Sequence, residues 1–124
     1  MEEHSGHLEI INVVGMEFVD SGRSLRLEII ESIPPHGTSL ITLKNVVSVR
    51  LFQAGGDEYP LIVIDLTWRA VPTEEKESVL RANQFPFVDE SGKPLTPSMP
   101  LVAVHLEGAI VGDILAEEVS ISPR

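Results

Sequence analysis

Apolar and polar positions alternate along most of the chain, the period of strands rather than of helices. Ser39 to Leu51 shows it best. Ile41, Leu43, Val47, Val49 and Leu51 share one parity, Thr42, Lys44, Ser48 and Arg50 take most of the other, and a bend is expected near Asn45. Leu25, Leu27 and Ile29 alternate with Arg26 and Glu28 in the same way. Leu8 to Phe18 is a noisier strand, its parity interrupted at Asn12, with a bulge or bend expected at Gly15. Leu61 to Ala70 reads as a strand with Ile62, Ile64, Leu66 and Trp68 on one side and Asp65, Thr67 and Arg69 on the other, which places Trp68 in the core. Gly55-Gly56-Asp57 is a turn signal, so residues 40–70 predict an antiparallel hairpin. Leu101 to Leu106 is a further strand. Glu107-Gly108 turns it into a long last strand, Ala109 to Ile121, with a bulge expected near Gly112-Asp113.

One stretch departs from this period. After Val71-Pro72, Thr73 can cap a helix, Glu74 and Glu75 suit its positive end, and Val79 and Leu80 give it a narrow apolar face. The expectation is a short helix from Glu74 to Ala82. Prolines 86, 94, 97 and 100 then punctuate an irregular run. The fold class that follows is mainly β: an antiparallel β-sandwich or a small open β-barrel of about six or seven strands with one short helix. Residues 1–124 read as a single domain, with 1–6 as a flexible tail and 83–100 as a long proline-containing loop.

Composition narrows the function classes. Nineteen acidic residues against nine basic ones give a formal charge of −10, which repels phosphate backbones and anionic lipid surfaces. No nucleic acid and no membrane is expected as partner, and a basic protein is the partner that charge favours. The absence of cysteine removes disulfides, thiolate nucleophiles and cysteine-ligated metals together. The segment MEEHSGH has neither the basic nor the apolar region of a signal peptide, so the expected location is cytoplasmic. Aromatic residues are scarce at 5%, which argues against a base-stacking or sugar-binding platform. No phosphate-binding loop, nucleophile elbow or zinc-protease motif is present, and no cofactor is expected.

Two groupings carry what chemistry there is. His4 and His7 form an H-x-x-H beside Glu2, Glu3 and Glu9, donor types that suit zinc or nickel. Their place near a terminus argues against a fixed metal site. Asp65 and His105 hold matching places in two echoing segments, PLIVIDL from Pro60 and PLVAVHL from Pro100. Were those strands neighbours, the carboxylate would orient the imidazole as in a general-base pair. His36, after Pro34-Pro35 and before Gly37, reads as a turn residue. The adjacent pairs Glu74-Glu75 and Glu117-Glu118 read as solvated; within a strand, one of each pair would point inward and one outward.

The expectation for function is a small acidic β protein of bacterial type acting as a non-enzymatic protein-interaction or structural module. The alternatives are a small-molecule-binding barrel and, after it, a small hydrolase using Asp65 and His105. Homo-oligomers are compatible with each, because Ile110 to Ile121 carries apolar residues on both parities.

Overall fold

The computed structural model describes residues 5–53, 61–82 and 100–123. His4, the turn expected at Gly55-Gly56 and residues 83–99 of the expected loop lie outside them. Six strands follow in chain order: β1 (Ser5–Val19), β2 (Ser24–Glu31), β3 (Thr38–Gln53), β4 (Leu61–Ala70), β5 (Val102–Gly108) and β6 (Ile110–Pro123). Between β4 and β5 a 3-10 turn (Thr73–Glu75) runs into α1 (Lys76–Ala82), close to the helix expected. β1 begins at Ser5, inside the segment expected to be tail, and pairs there with Arg69.

The strands close into a barrel in the order β1-β2-β3-β6-β5-β4, with β4 returning to β1 and every pair antiparallel. The barrel, and not the sandwich, is therefore the architecture, and it is closed. The hairpin expected over residues 40–70 does not form. β3 pairs with β2 and β6, and β4 pairs with β1 and β5, so these consecutive strands are separated around the barrel. The expected reversal at Glu107-Gly108 does form, joining β5 to its antiparallel neighbour β6.

The interior is filled by side chains. Leu25, Leu27, Ile41, Leu43, Leu66 and Leu106 are each 0% exposed, and Trp68 joins the same cluster at 4%. A six-stranded barrel is narrow, and branched aliphatic side chains from all strands meet across it. The same packing leaves the ligand-binding-barrel reading without support from this interior.

Alternation along each strand is broken at defined places, which bend the strands around the barrel. In β1 the register shifts between Val13 and Gly15, where the sequence expects a bulge. In β3 it shifts between Val46 and Ser48, and Asn45 beside that shift has a φ of 53°. In β4 it shifts between Val63 and Asp65, and this shift changes the sequence reading. Leu66 and Trp68 point inward, but Ile62 and Ile64 are 53% and 58% exposed and share the outer surface with Asp65. β6 slips at Glu117-Glu118 and not at Gly112-Asp113. Ile110, Gly112, Ile114 and Ala116 keep one buried parity, and Val119 resumes on the other. Both glutamates are half-buried and reach β3: Asn45 Nδ2 donates to Glu117, and Lys44 Nζ lies 3.8 Å from Glu118. Gly112 has a different role, because a Cβ there would lie 1.8 Å from the backbone oxygen of Arg50.

A second, smaller core lies outside the barrel. Leu115 and Leu101 pack with Val71 and with Leu80 of α1, and partly buried Val47, Val79 and Ala103 complete the cluster. The second apolar face of β6 is thus covered at Leu115 by the chain itself. Among the described residues no helix is long and apolar enough to cross a membrane.

Candidate functional site

The strand register assembles the polar residues of β1, β4, β5 and β6 into two rows on the outside of the barrel. One row runs Glu9–Asp65–Glu107 across β1, β4 and β5. The next runs His7–Thr67–His105–Asp113 and reaches β6. Period-two strands put His7 with Glu9, Asp65 with Thr67, and His105 with Glu107 on one face, while Leu66 and Leu106 between them enter the core. The tripeptide His-Leu-Glu occurs at residues 7–9 and again at 105–107, and β4 lies between the two copies.

Each histidine is held by two carboxylates. His7 Nε2 lies 2.7 Å from Asp65 Oδ1, and its Nδ1 lies 3.5 Å from Glu9 Oε1. His105 Nδ1 lies 2.8 Å from Asp113 Oδ1, and its Nε2 lies 3.0 Å from Glu107 Oε1. The hydrogen bonds to Glu107 and then to Asp113 raise the His105 pKa above the ordinary 6.5, against a smaller opposing effect of burial.

The two residues of the suggested dyad fall on these rows without pairing. Asp65 stands opposite Glu107, and His105 stands opposite Thr67. The echo of PLIVIDL and PLVAVHL aligns the strands as if parallel, whereas β4 and β5 run antiparallel, so matching places in sequence are not neighbours in space. Asp65 bonds His7, and His105 bonds Asp113 and Glu107. Of the H-x-x-H pair, His7 is on β1 and His4 lies outside the described residues. His36 takes the expected turn conformation with a φ of 59°, and its Nδ1 lies 3.1 Å from the Glu31 carbonyl oxygen.

The sequence singles out Glu9 as a donor beside His4 and His7, whereas Glu107 and Asp113 are the members of this face that the sequence reading does not single out. The repeated His-Leu-Glu is the signal that finds Glu107. Asp113 is reached only through the β5–β6 register.

Three kinds of surroundings border the rows. At one side the register places Ile11 opposite Val63 and Asn12 opposite Ile62, and Ile10, at 41% exposure, is a third exposed isoleucine beside Ile62 and Ile64. At the other side Arg69 lies 3.8 Å from Glu75 of the 3-10 turn. Toward α1, a shallow depression of about 250 Å³ is lined by Thr67, Arg69, Val79, His105 and Asp113 among others. A convergent donor set for a cation exists at His7, Glu9 and Asp65, whose ligand atoms all lie within 4.8 Å of one another.

No family model and no curated protein matches the chain. Its fold is similar to the crystal structure of an uncharacterized protein from Neisseria gonorrhoeae, with a TM-score of 0.63 and 12% sequence identity over 98% of this chain and 100% of that one. At that identity the likeness concerns the barrel alone.

Proposed function

We propose that the barrel is a non-enzymatic interaction module that docks a basic protein segment on the outer face of β1, β4 and β5. The observation that carries this reading is the border between exposed Ile10, Ile62 and Ile64 and the carboxylate row Glu9–Asp65–Glu107. Exposed apolar side chains grouped beside charged ones are the composition of a docking patch, with the apolar group as anchor and the charges as rim. The rim is acidic in a protein of net charge −10, so a partner carrying lysine or arginine beside apolar residues complements both parts. The engagement of both His105 ring nitrogens by carboxylates favours an ion-pairing role over that of a general base. The reading includes the expected cytoplasmic location, where such partners are abundant.

Affinity capture on the immobilised protein tests it, comparing the wild type with the double variant Ile62→Ser/Ile64→Ser. The expected result is a basic protein retained at about 50 mM salt, released at about 500 mM as charges are screened, and absent from the variant. A wild type that retains nothing at low salt, or a variant that retains the same protein equally, overturns the reading.

A further inference from the structure

We infer that His7, Glu9 and Asp65 form a binding site for a divalent transition-metal cation of the zinc class, seated across the β1–β4 pair. The site is independent of the docking reading. Three observations carry it. The three ligand atoms already lie within 4.8 Å of one another, and rotation of exposed side chains brings them to the edge length of about 3.3 Å that bonds of about 2.0–2.1 Å require. The donors come from rigid elements: Glu9 stands opposite Asp65, and His7 opposite Thr67, in a continuous antiparallel register. Finally, Glu9 and Asp65 are like charges in directly opposed positions, a destabilising arrangement that a cation between them relieves. The imidazole selects the class of ion, because calcium and magnesium prefer all-oxygen sets while zinc, nickel and cobalt take nitrogen with carboxylate. Three protein ligands leave the remaining positions to water.

Two consequences follow from the place of the site. β1 and β4 are the pair that closes the barrel, so an ion there bridges the closure and raises thermal stability by binding the folded chain alone. The ion also neutralises two carboxylates of the acidic row, so the metal and a basic partner are alternative occupants of that end of the face.

Calorimetric titration of metal-stripped protein with zinc chloride alone, at about pH 7.5 where an ordinary histidine is neutral, tests the inference. The wild type is expected to bind one equivalent and to gain thermal stability, with His7→Gln and Asp65→Asn each weakening binding roughly tenfold or more. His4→Gln is expected to bind as the wild type does. A wild type that binds no zinc, an Asp65→Asn variant that binds as tightly, or loss of binding in His4→Gln overturns the site. Should a variant fail to fold, cobalt titrated into the wild type decides. The His7 ring resonances must be perturbed before those of His4, His36 and His105, and any other order overturns the assignment.

Discussion

Asp113 stands directly opposite His105 in the β5–β6 register, with its Oδ1 2.8 Å from the imidazole Nδ1. Glu107 holds the other ring nitrogen, and together they raise the histidine's pKa. Asp65 stands opposite Glu107, and Arg50 of β3 stands opposite Asp113, in the strand register.

A raised folded-state pKa means that folding takes up a proton, so the stabilisation is complete below the unfolded value and is lost as pH rises through the folded one. The difference in melting temperature between wild type and His105→Gln is therefore expected to be largest between about pH 5 and 6.5, where the carboxylates are ionised and the unfolded histidine is protonated. It should shrink steadily at higher pH. The side chain is 42% exposed, so solvent screening keeps the effect small. Thermal melts of both proteins across that range check it, and a pH-independent gap contradicts it.

Gly6 and Trp68 face each other across β1 and β4, and a Cβ on Gly6 would lie 2.0 Å from the indole Cζ2. The ring occupies the space that any other residue at position 6 would need. Gly6→Ala must push the indole out of its packing, at an expected cost of about 1–3 kcal/mol. Trp68 is the single tryptophan of the chain, so its emission reports the displacement directly. An unshifted emission maximum with an unchanged melting temperature would show that the ring is free to move.

Strand identity was legible in the sequence because each strand keeps its alternation over several residues. Leu25, Leu27 and Ile29 are buried as that pattern requires, and the expected irregularities at Gly15 and Asn45 are present. Strand order was not legible. Alternation reports which face a residue occupies and carries no information about the neighbouring strand, so the expected β3–β4 hairpin rests on proximity in sequence and the Gly55-Gly56-Asp57 turn signal. The bulge at Ile64 was equally hidden, because an isoleucine that leaves the core is compositionally the same as one that stays. The candidate site depends on both unknowns. His7, Asp65 and His105 were visible as residue types, but Asp65 meets His7 and Asp113 meets His105 only through the β1–β4 and β5–β6 registers.

The reversal of facing at Ile64 separates two substitutions on one strand. Unbroken alternation would bury Ile64 with Leu66. With Ile64 outside, Ile64→Ser is expected to change stability by no more than about 0.5 kcal/mol. Leu66→Ala, at a position with 0% exposure, should cost about 2–5 kcal/mol. Urea unfolding of the two variants compares them. Comparable losses would place Ile64 in the core after all.

Leu115 is 1% exposed although it points away from the barrel interior, because Leu80 of α1, Leu101 and Val71 cover it. Its neighbours Ile114 and Ala116 enter the main core, so β6 is buried on both faces at this point. Leu115→Ala weakens the packing of α1 on the sheet while leaving the barrel lining intact. A loss of about 2–5 kcal/mol is expected for a buried leucine truncated in a well-packed cluster. Its distribution is the more telling readout. Amide exchange should accelerate in α1 and at Leu101, where the second core is weakened, by more than in β2, whose Leu25 and Leu27 belong to the main cluster. Uniform acceleration through β2 and α1 alike would mean that the two clusters unfold as one unit and that α1 is integral to the barrel rather than docked on it.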